Sequence, residues 1–256
     1  MAEFPRFDLE DRVALVTGAA RGLGRAIAVA LAGAGAHVAV GVRHAGDGDD
    51  VVAEIADLGR KAVTVPMDVR DLDEIKAATE SVVAQFGAVD ILVNNAGLGP
   101  ENRAEEVVEA DFDLTFDVNV KGLFFASQAV GRTMIAQRSG RIINLSSQAA
   151  LVALPNESIY CASKAAVCAL TRCLAVEWGR YGITVNAVAP TFIRTPGTEP
   201  ALADPAFRAD VIDRIAALHR IGEPVDVAGA VVFLASPAAS LVSGTTLVVD
   251  GGWTVR

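Results

Sequence analysis

Tyr160 and Lys164 stand four residues apart in Tyr160-Cys-Ala-Ser-Lys164, near the start of a stretch that reads as a helix. Four residues is close to one helical turn, so both side chains fall on one face. The chain has only 2 tyrosines, and its four lysines are Lys61, Lys76, Lys121 and Lys164. The other tyrosine, Tyr181, has Val185 four places on. A free phenol ionises near pH 10, too weakly to exchange protons at neutral pH unaided. An ammonium about 5 Å away, at an effective dielectric of about 20, favours phenolate by roughly 3 kcal/mol, or about two pKa units. The pair is therefore a candidate acid/base couple. The plain structural alternative is a snorkelling lysine beside a half-buried tyrosine. Thirteen residues before Tyr160, Ser146-Ser147 closes an apolar run. A hydroxyl at a strand C-terminus can point into a crevice and polarise a carbonyl oxygen. No Gly-x-Ser-x-Gly elbow surrounds this serine, and His37, His44 and His219 follow no triad order, so serine-hydrolase chemistry is disfavoured.

A second cluster is Thr17-Gly18-Ala-Ala-Arg21-Gly22-Leu23-Gly24, set between an apolar run and a helix. Its glycines permit a tight turn and a close backbone approach to a ligand. The helix N-terminus that follows offers partial positive charge to a pyrophosphate. The spacing is Gly-x-x-x-Gly-x-Gly rather than Gly-x-Gly-x-x-Gly, and no Gly-Lys-Ser/Thr follows. A purely structural turn is the competing reading.

The elements that must position these clusters alternate along the chain. Predicted strands are Arg12 to Thr17, His37 to Val42, Ala62 to Pro66, Asp90 to Val93, Arg141 to Leu145, Ile183 to Val188 and Thr245 to Val249. Predicted helices are Leu23 to Ala34, Val51 to Leu58, Leu72 to Phe86, Phe112 to Gln137, Ser158 to Tyr181 and Pro224 to Leu234. Such alternation implies right-handed crossovers and an α/β fold with one parallel sheet. The strands are nearly continuous Val/Ile/Leu runs, as when both faces are buried. No linker or repeat interrupts the pattern, so one domain over residues 1–256 is expected. Thr195 to Pro205 breaks the rhythm with Pro196, Gly197, Pro200 and Pro205. It follows a strand end, where loops frame ligand sites, and is a candidate substrate lid.

Composition limits the partners. The 256 residues are 52% hydrophobic with a net charge of −9, which supports a sizeable core and repels nucleic acid. The N-terminus has no apolar stretch of the signal-peptide kind, and Val227 to Val249 is too interrupted for a membrane span. A cytoplasmic protein is expected. Cys161, Cys168 and Cys173 crowd one predicted helix without zinc-ligand spacing, so neither a disulfide framework nor a metal site is expected.

The ordered set Thr17-Gly18-xxx-Gly22-x-Gly24, Asp68-Val69, Asn94-Asn95-Ala96-Gly97, Asn119, Ser147 and Tyr160-xxx-Lys164 resembles the short-chain dehydrogenase/reductase family, from Leu9 to Trp253. The resemblance implies a Rossmann-like three-layer αβα fold around a single seven-stranded parallel sheet, binding NAD(P) and usually forming a homotetramer or homodimer. It implies that Tyr160 donates and accepts the proton, that Lys164 holds the nicotinamide ribose and lowers the tyrosine pKa, and that Ser147 orients the reacting oxygen. Asn119 is implied to support a water that relays protons towards Lys164. Gly18, Arg21, Gly22, Leu23 and Gly24 then face the pyrophosphate, Asp68 and Val69 the adenine, and Asn95, Ala96 and Gly97 the ribose side. Pro190, Ile193 and Thr195 match the segment that closes over the cofactor, and a lid extends over about 195–220. The chain departs from the family in having Thr191 after Pro190, where glycine is usual.

The second predicted strand ends in Gly41-Val42-Arg43, without the carboxylate that usually accepts from the NAD ribose. Arg43 and Arg21 suit a 2′-phosphate, so NADP(H) is favoured over NAD(H). Asp47 and Asp49 lie close enough in sequence to fold back towards a hydroxyl. Gln148, Asn156 and Glu157 precede the tyrosine and suit a polyhydroxylated substrate. The leading reading is a secondary alcohol/ketone oxidoreductase of sugars or polyols, with 3-oxoacyl-thioester reduction as alternative. A non-enzymatic dinucleotide sensor would need Gly18, Gly22 and Gly24 but not Ser147, Tyr160 and Lys164 together. Trp253 and Val255, exposed in a bare tail, would suit a subunit interface.

Overall fold

The computed structural model describes residues 4–255. In chain order the elements are β1 (Val13–Thr17), α1 (Gly22–Gly33), β2 (His37–Val42), α2 (Asp49–Asp57), β3 (Ala62–Pro66), α3 (Leu72–Phe86), β4 (Ile91–Asn94), α4 (Glu109–Phe116), α5 (Leu123–Gln137), β5 (Gly140–Leu145), α6 (Ser158–Trp178), β6 (Ile183–Pro190), α7 (Glu199–Leu202), α8 (Pro205–Arg214), α9 (Pro224–Ala235) and β7 (Thr246–Val249). The sheet runs β3-β2-β1-β4-β5-β6-β7, parallel throughout. Between β1 and β4 the chain order changes direction, and α/β sheets open a ligand crevice there at their C-terminal edge.

Strand periodicity sorts the core into two layers. Ala14 and Val16 pack with Val38, Val40, Ile91, Val93 and Ile143 on the face covered by α1, α2 and α9. Their neighbours Val13 and Leu15 pack with Ala39, Leu92 and Ile142 on the face covered by α3, α5 and α6. Alternate side chains point to opposite faces of a strand, and here both faces are dry. The helix with its following turn, Ser158–Tyr181, is long and apolar enough by composition to cross a membrane. It packs on β6 and carries the buried Lys164, as a core helix does.

Three differences from the sequence reading concern the site. The long helix predicted from Phe112 begins at Glu109 and contains a π-helical stretch, Asp117–Gly122, that holds Asn119. Gly122 lets this stretch lie close against the end of β3, because a side chain there would collide with the Val69 carbonyl. Strand six runs on to Pro190, with every residue buried. Trp253 is not exposed: it is 8% accessible and packs with Leu202, Val211, Ile215 and Ile221 in a third, smaller cluster. Its ring lies 5.7 Å from that of Phe192. The tail thus anchors the α7–α8 segment, while Val255 stays exposed. The interface argument from Trp253 does not hold.

Candidate active site

A crevice of about 1130 Å³ lies along the C-terminal edge of the sheet. Gly18, Arg21, Gly22, Leu23 and Gly24 line it from the β1–α1 turn, Arg43 from the end of β2, Asp68 and Val69 from the end of β3. Asn95, Ala96 and Gly97 line it after β4, Ser147 after β5, Tyr160 and Lys164 from α6, and Pro190, Ile193 and Thr195 from the end of β6. Of the predicted site residues only Asn119 stands behind the wall, buried in the π-helical stretch.

The glycine turn fits an anion. Gly18 and Gly22 adopt φ values of +64° and +56°, where a side chain is strained. A Cβ on Gly24 would collide with the Gly18 carbonyl and the Asn95 amide. No side chain caps α1, and its first turn contains no acid. The leading N–H groups are therefore left for a ligand, and the helix dipole favours negative charge. Thr17 and Asn95 lock the turn to the end of β4. The Thr17 Oγ1 accepts from the N–H groups of Asn95 and Ala96, each at 3.0 Å, and Asn95 Nδ2 donates to the Thr17 carbonyl at 2.8 Å. Asn94 points the other way, donating to Ser127 and Asn144 under the sheet at 2.9 Å each.

Near β2, Arg43 is exposed at the crevice edge. Asp49 accepts from Thr64 Oγ1 at 3.3 Å on the neighbouring strand, whereas Asp47 lines the crevice. Arg70, which sequence reading passed over, also lines it and forks onto Asp68, the shortest contact being 2.7 Å. Arg70, followed by burial acting in the opposite sense, leaves the Asp68 carboxyl below its ordinary value. The signal for Arg70 was its position directly after Asp68-Val69.

The acid/base end is set by α6. Lys164 is buried, and its Nζ donates to the Leu145 carbonyl at 2.9 Å and lies 5.5 Å from the centre of the Tyr160 ring. Gly99 is required beside that ring, since a Cβ there would drive into it. The expected lowering of the tyrosine pKa by Lys164 is not what the site yields by itself. Burial dominates and pushes Tyr160 up to about 12, with Glu157 adding to the rise and the Ser147 hydroxyl opposing it. Burial also pushes Lys164 down to about 8. A desolvated charge is costly whichever sign it has. At neutral pH the phenol is therefore protonated.

Ser147 is buried and donates to Gln148 Oε1 at 2.8 Å while accepting from the Ala149 N–H at 3.2 Å. A substrate oxygen would take the place of Gln148 as its acceptor. Asn119 uses its side chain on the wall: Nδ2 donates to the Leu98 carbonyl at 2.7 Å and to Ser163 Oγ at 3.0 Å, and Oδ1 accepts from the Leu98 N–H at 2.9 Å. These bonds hold the β4 loop against α6. Glu101, Leu154 and Glu157 complete the wall beyond Tyr160. Glu101 gave no sequence signal, because it reaches the crevice only through the path of its loop.

A family model described as enoyl-(acyl carrier protein) reductase matches residues 18–254. The chain is 41% identical over 251 residues to a 2-dehydro-3-deoxy-D-gluconate 5-dehydrogenase of Escherichia coli K12, covering 98% of each. It is 40% identical to a D-threitol dehydrogenase of Mycolicibacterium smegmatis, covering 98% of this chain and 95% of that one. It is 41% identical to a 3-oxoacyl-(acyl-carrier-protein) reductase of Synechocystis, covering 95% and 97%. Among solved structures, a gluconate 5-dehydrogenase of Burkholderia cenocepacia in complex with NADP and tartrate superposes with a TM-score of 0.95 at 37% identity, covering 98% of both chains. With the seven-stranded sheet, the glycine turn and the Tyr160–Lys164 pair in one crevice, these likenesses lead to one conclusion: the chain belongs to the short-chain dehydrogenase/reductase family and is an NAD(P)-dependent oxidoreductase acting on CH–OH groups.

Proposed function

We propose that the protein interconverts a secondary alcohol of a sugar or polyol and the corresponding ketone, using NADP(H). The observation that carries this reading is Tyr160 and Lys164 sharing one face of α6 in the crevice that begins at the uncapped glycine turn. NADP(H), when bound, supplies or accepts the hydride. The pyrophosphate would lie on Gly18, Arg21, Gly22, Leu23 and Gly24, the adenine by Asp68 and Val69, and the ribose side by Asn95, Ala96 and Gly97. Arg43 and Arg21 would pair with a 2′-phosphate. Pro190, Ile193 and Thr195 would close over the nicotinamide, and the 195–220 segment with α7 and α8 would act as a lid.

In the reducing direction, the neutral Tyr160 phenol gives its proton to the oxygen of the reacting carbonyl. Ser147 donates a second hydrogen bond to that oxygen, orienting it and stabilising the charge that develops there. Lys164 holds ribose hydroxyls and offsets the phenolate left on Tyr160. A water at Asn119 returns a proton towards Lys164. In the oxidising direction Tyr160 must first lose its proton, so alcohol oxidation should rise with pH. The D-threitol and deoxygluconate names of the relatives support a polyhydroxylated substrate. 3-Oxoacyl-thioester reduction is the second reading, favoured by the Synechocystis relative. Cytoplasmic location and a homo-oligomer, a tetramer or dimer, belong to the same proposal. The exposed Leu241, Val176 and Val255 support the oligomer.

A panel of polyols, aldoses and acetoacetyl thioesters, run with NADP(H) and NAD(H), tests it. The expected result is turnover of polyhydroxylated alcohols with NADP(H). Activity confined to thioesters, or a tenfold preference for NAD, would overturn the corresponding part.

A further inference from the structure

The wall beyond Tyr160 carries two carboxylates that no step of the reaction uses. Glu157 lies in the turn before α6, and Glu101 in the loop after β4. The two segments are tied together, the Asn102 N–H donating to the Asn156 carbonyl at 2.9 Å. Both glutamates line the crevice. Glu157 is half-buried, and neither carboxylate has a hydrogen bond or ion pair among the described residues. A half-buried carboxylate without a partner in the fold has lost part of its hydration, so its free lone pairs face the crevice and can accept from a ligand there. Burial, and then Glu101, push Glu157 up to about 7, and Glu157 in turn raises Tyr160. The three groups therefore feel one another across the substrate end.

The cations of the same crevice are elsewhere. Arg21, Arg43 and Arg70 follow β1, β2 and β3, at the end of the glycine turn. Among the described residues Lys164 is the one lining cation beside Tyr160, and it is bonded to the Leu145 carbonyl. We infer that Glu101 and Glu157 are specificity residues, which accept hydroxyl donors from a neutral polyol and repel the carboxylate of a sugar acid. This rests on the sugar/polyol reading and narrows it. A hydroxyl can donate to a carboxylate, whereas an ionised acid only accepts and is repelled by Glu101 and, as pH rises above about 7, by Glu157 as well. Relatives named for D-threitol and for a deoxygluconate show that the family contains both classes.

Threitol and tartrate test it, because they share a four-carbon diol core and differ in their ends, CH₂OH against carboxylate. Both are titrated into the NADP-loaded protein well above pH 7, where Glu157 is ionised, and tartrate is also assayed as an inhibitor of polyol oxidation. The wild type should bind threitol at least about tenfold more tightly than tartrate, and the Glu101→Gln/Glu157→Gln double variant should reduce that ratio at least about tenfold. Glu101→Gln alone, on an exposed loop, should give part of the change and keeps the test intact if the Glu157 variant does not fold. Tartrate binding as tightly as threitol in the wild type, or a ratio unmoved by the double variant, overturns the inference alone. Binding of neither ligand, with reduction of an acetoacetyl thioester, overturns the sugar/polyol reading and this inference with it.

Discussion

At the end of the crevice near Gly18, Gly22 and Gly24, the lining carries Arg21, Arg43 and Arg70, with Asp68 already engaged by Arg70. At the other end, beyond Tyr160, it carries Glu101 and Glu157, which no cation engages among the described residues. The first end is built from turns that directly follow β1, β2 and β3, so its geometry comes from strand ends fixed in the sheet. The second is assembled from the β4 loop, the turn before α6 and the segment from the end of β6 into α7, elements distant in the chain. One end suits a phosphorylated anion held by main chain and arginine. The other suits a neutral, hydroxylated molecule held by side chains. Variation in the second end alone can change substrate while cofactor and chemistry stay the same, since function resides in the site rather than in the fold.

Three changes break or sharpen this contrast. The largest effect is expected from Tyr160→Phe, which removes the proton donor between the two ends: kcat should fall by about 10²–10⁴-fold. The Kd for NADPH, measured by fluorescence titration, should change by less than about threefold. Comparable loss of cofactor binding would mean that Tyr160 supports the cofactor end and is not an independent acid/base. Next, Arg43→Ala combined with Arg21→Ala should raise KM for NADP by about 10- to 100-fold, the usual worth of charge-assisted contacts, and leave KM for NAD nearly unchanged. If both cofactors weaken together, the arginines do not read a 2′-phosphate. The smallest effect is a pH shift. Glu157 raises the Tyr160 pKa, so Glu157→Gln should lower it and move the rising limb of alcohol oxidation to lower pH. The expected displacement is less than about one unit, read from the pH dependence of kcat/KM. Movement to higher pH would contradict the coupling between the two residues.

Much of the cofactor end was legible in the sequence because its signals are local. A glycine at positive φ, a helix start without a cap and an arginine at a strand end are each properties of a few consecutive residues. Tyr160 and Lys164 were legible for the same reason, since one helical turn sets their relation. Asn119 was found by family spacing, but its hydrogen bonds to Leu98 and Ser163 depend on three separate segments meeting. Glu101 was not legible at all, and Trp253 was read as exposed when the α7–α8 segment covers it. In each case the deciding fact is a contact between residues far apart in the chain.

The sequence by itself determined the strand–helix alternation, the glycine turn and the one-turn spacing of the acid/base pair, because these follow from backbone sterics and helical period. Tertiary structure alone decided the environment of that pair. Packing buries Lys164 and most of the Tyr160 ring, which keeps an edge on the crevice, and pushes the phenol up to about 12 and the amine down to about 8. A calculation from their spacing treats only the attraction between two charges. Desolvation depends on everything folded around them, and here it is the leading cause of both shifts.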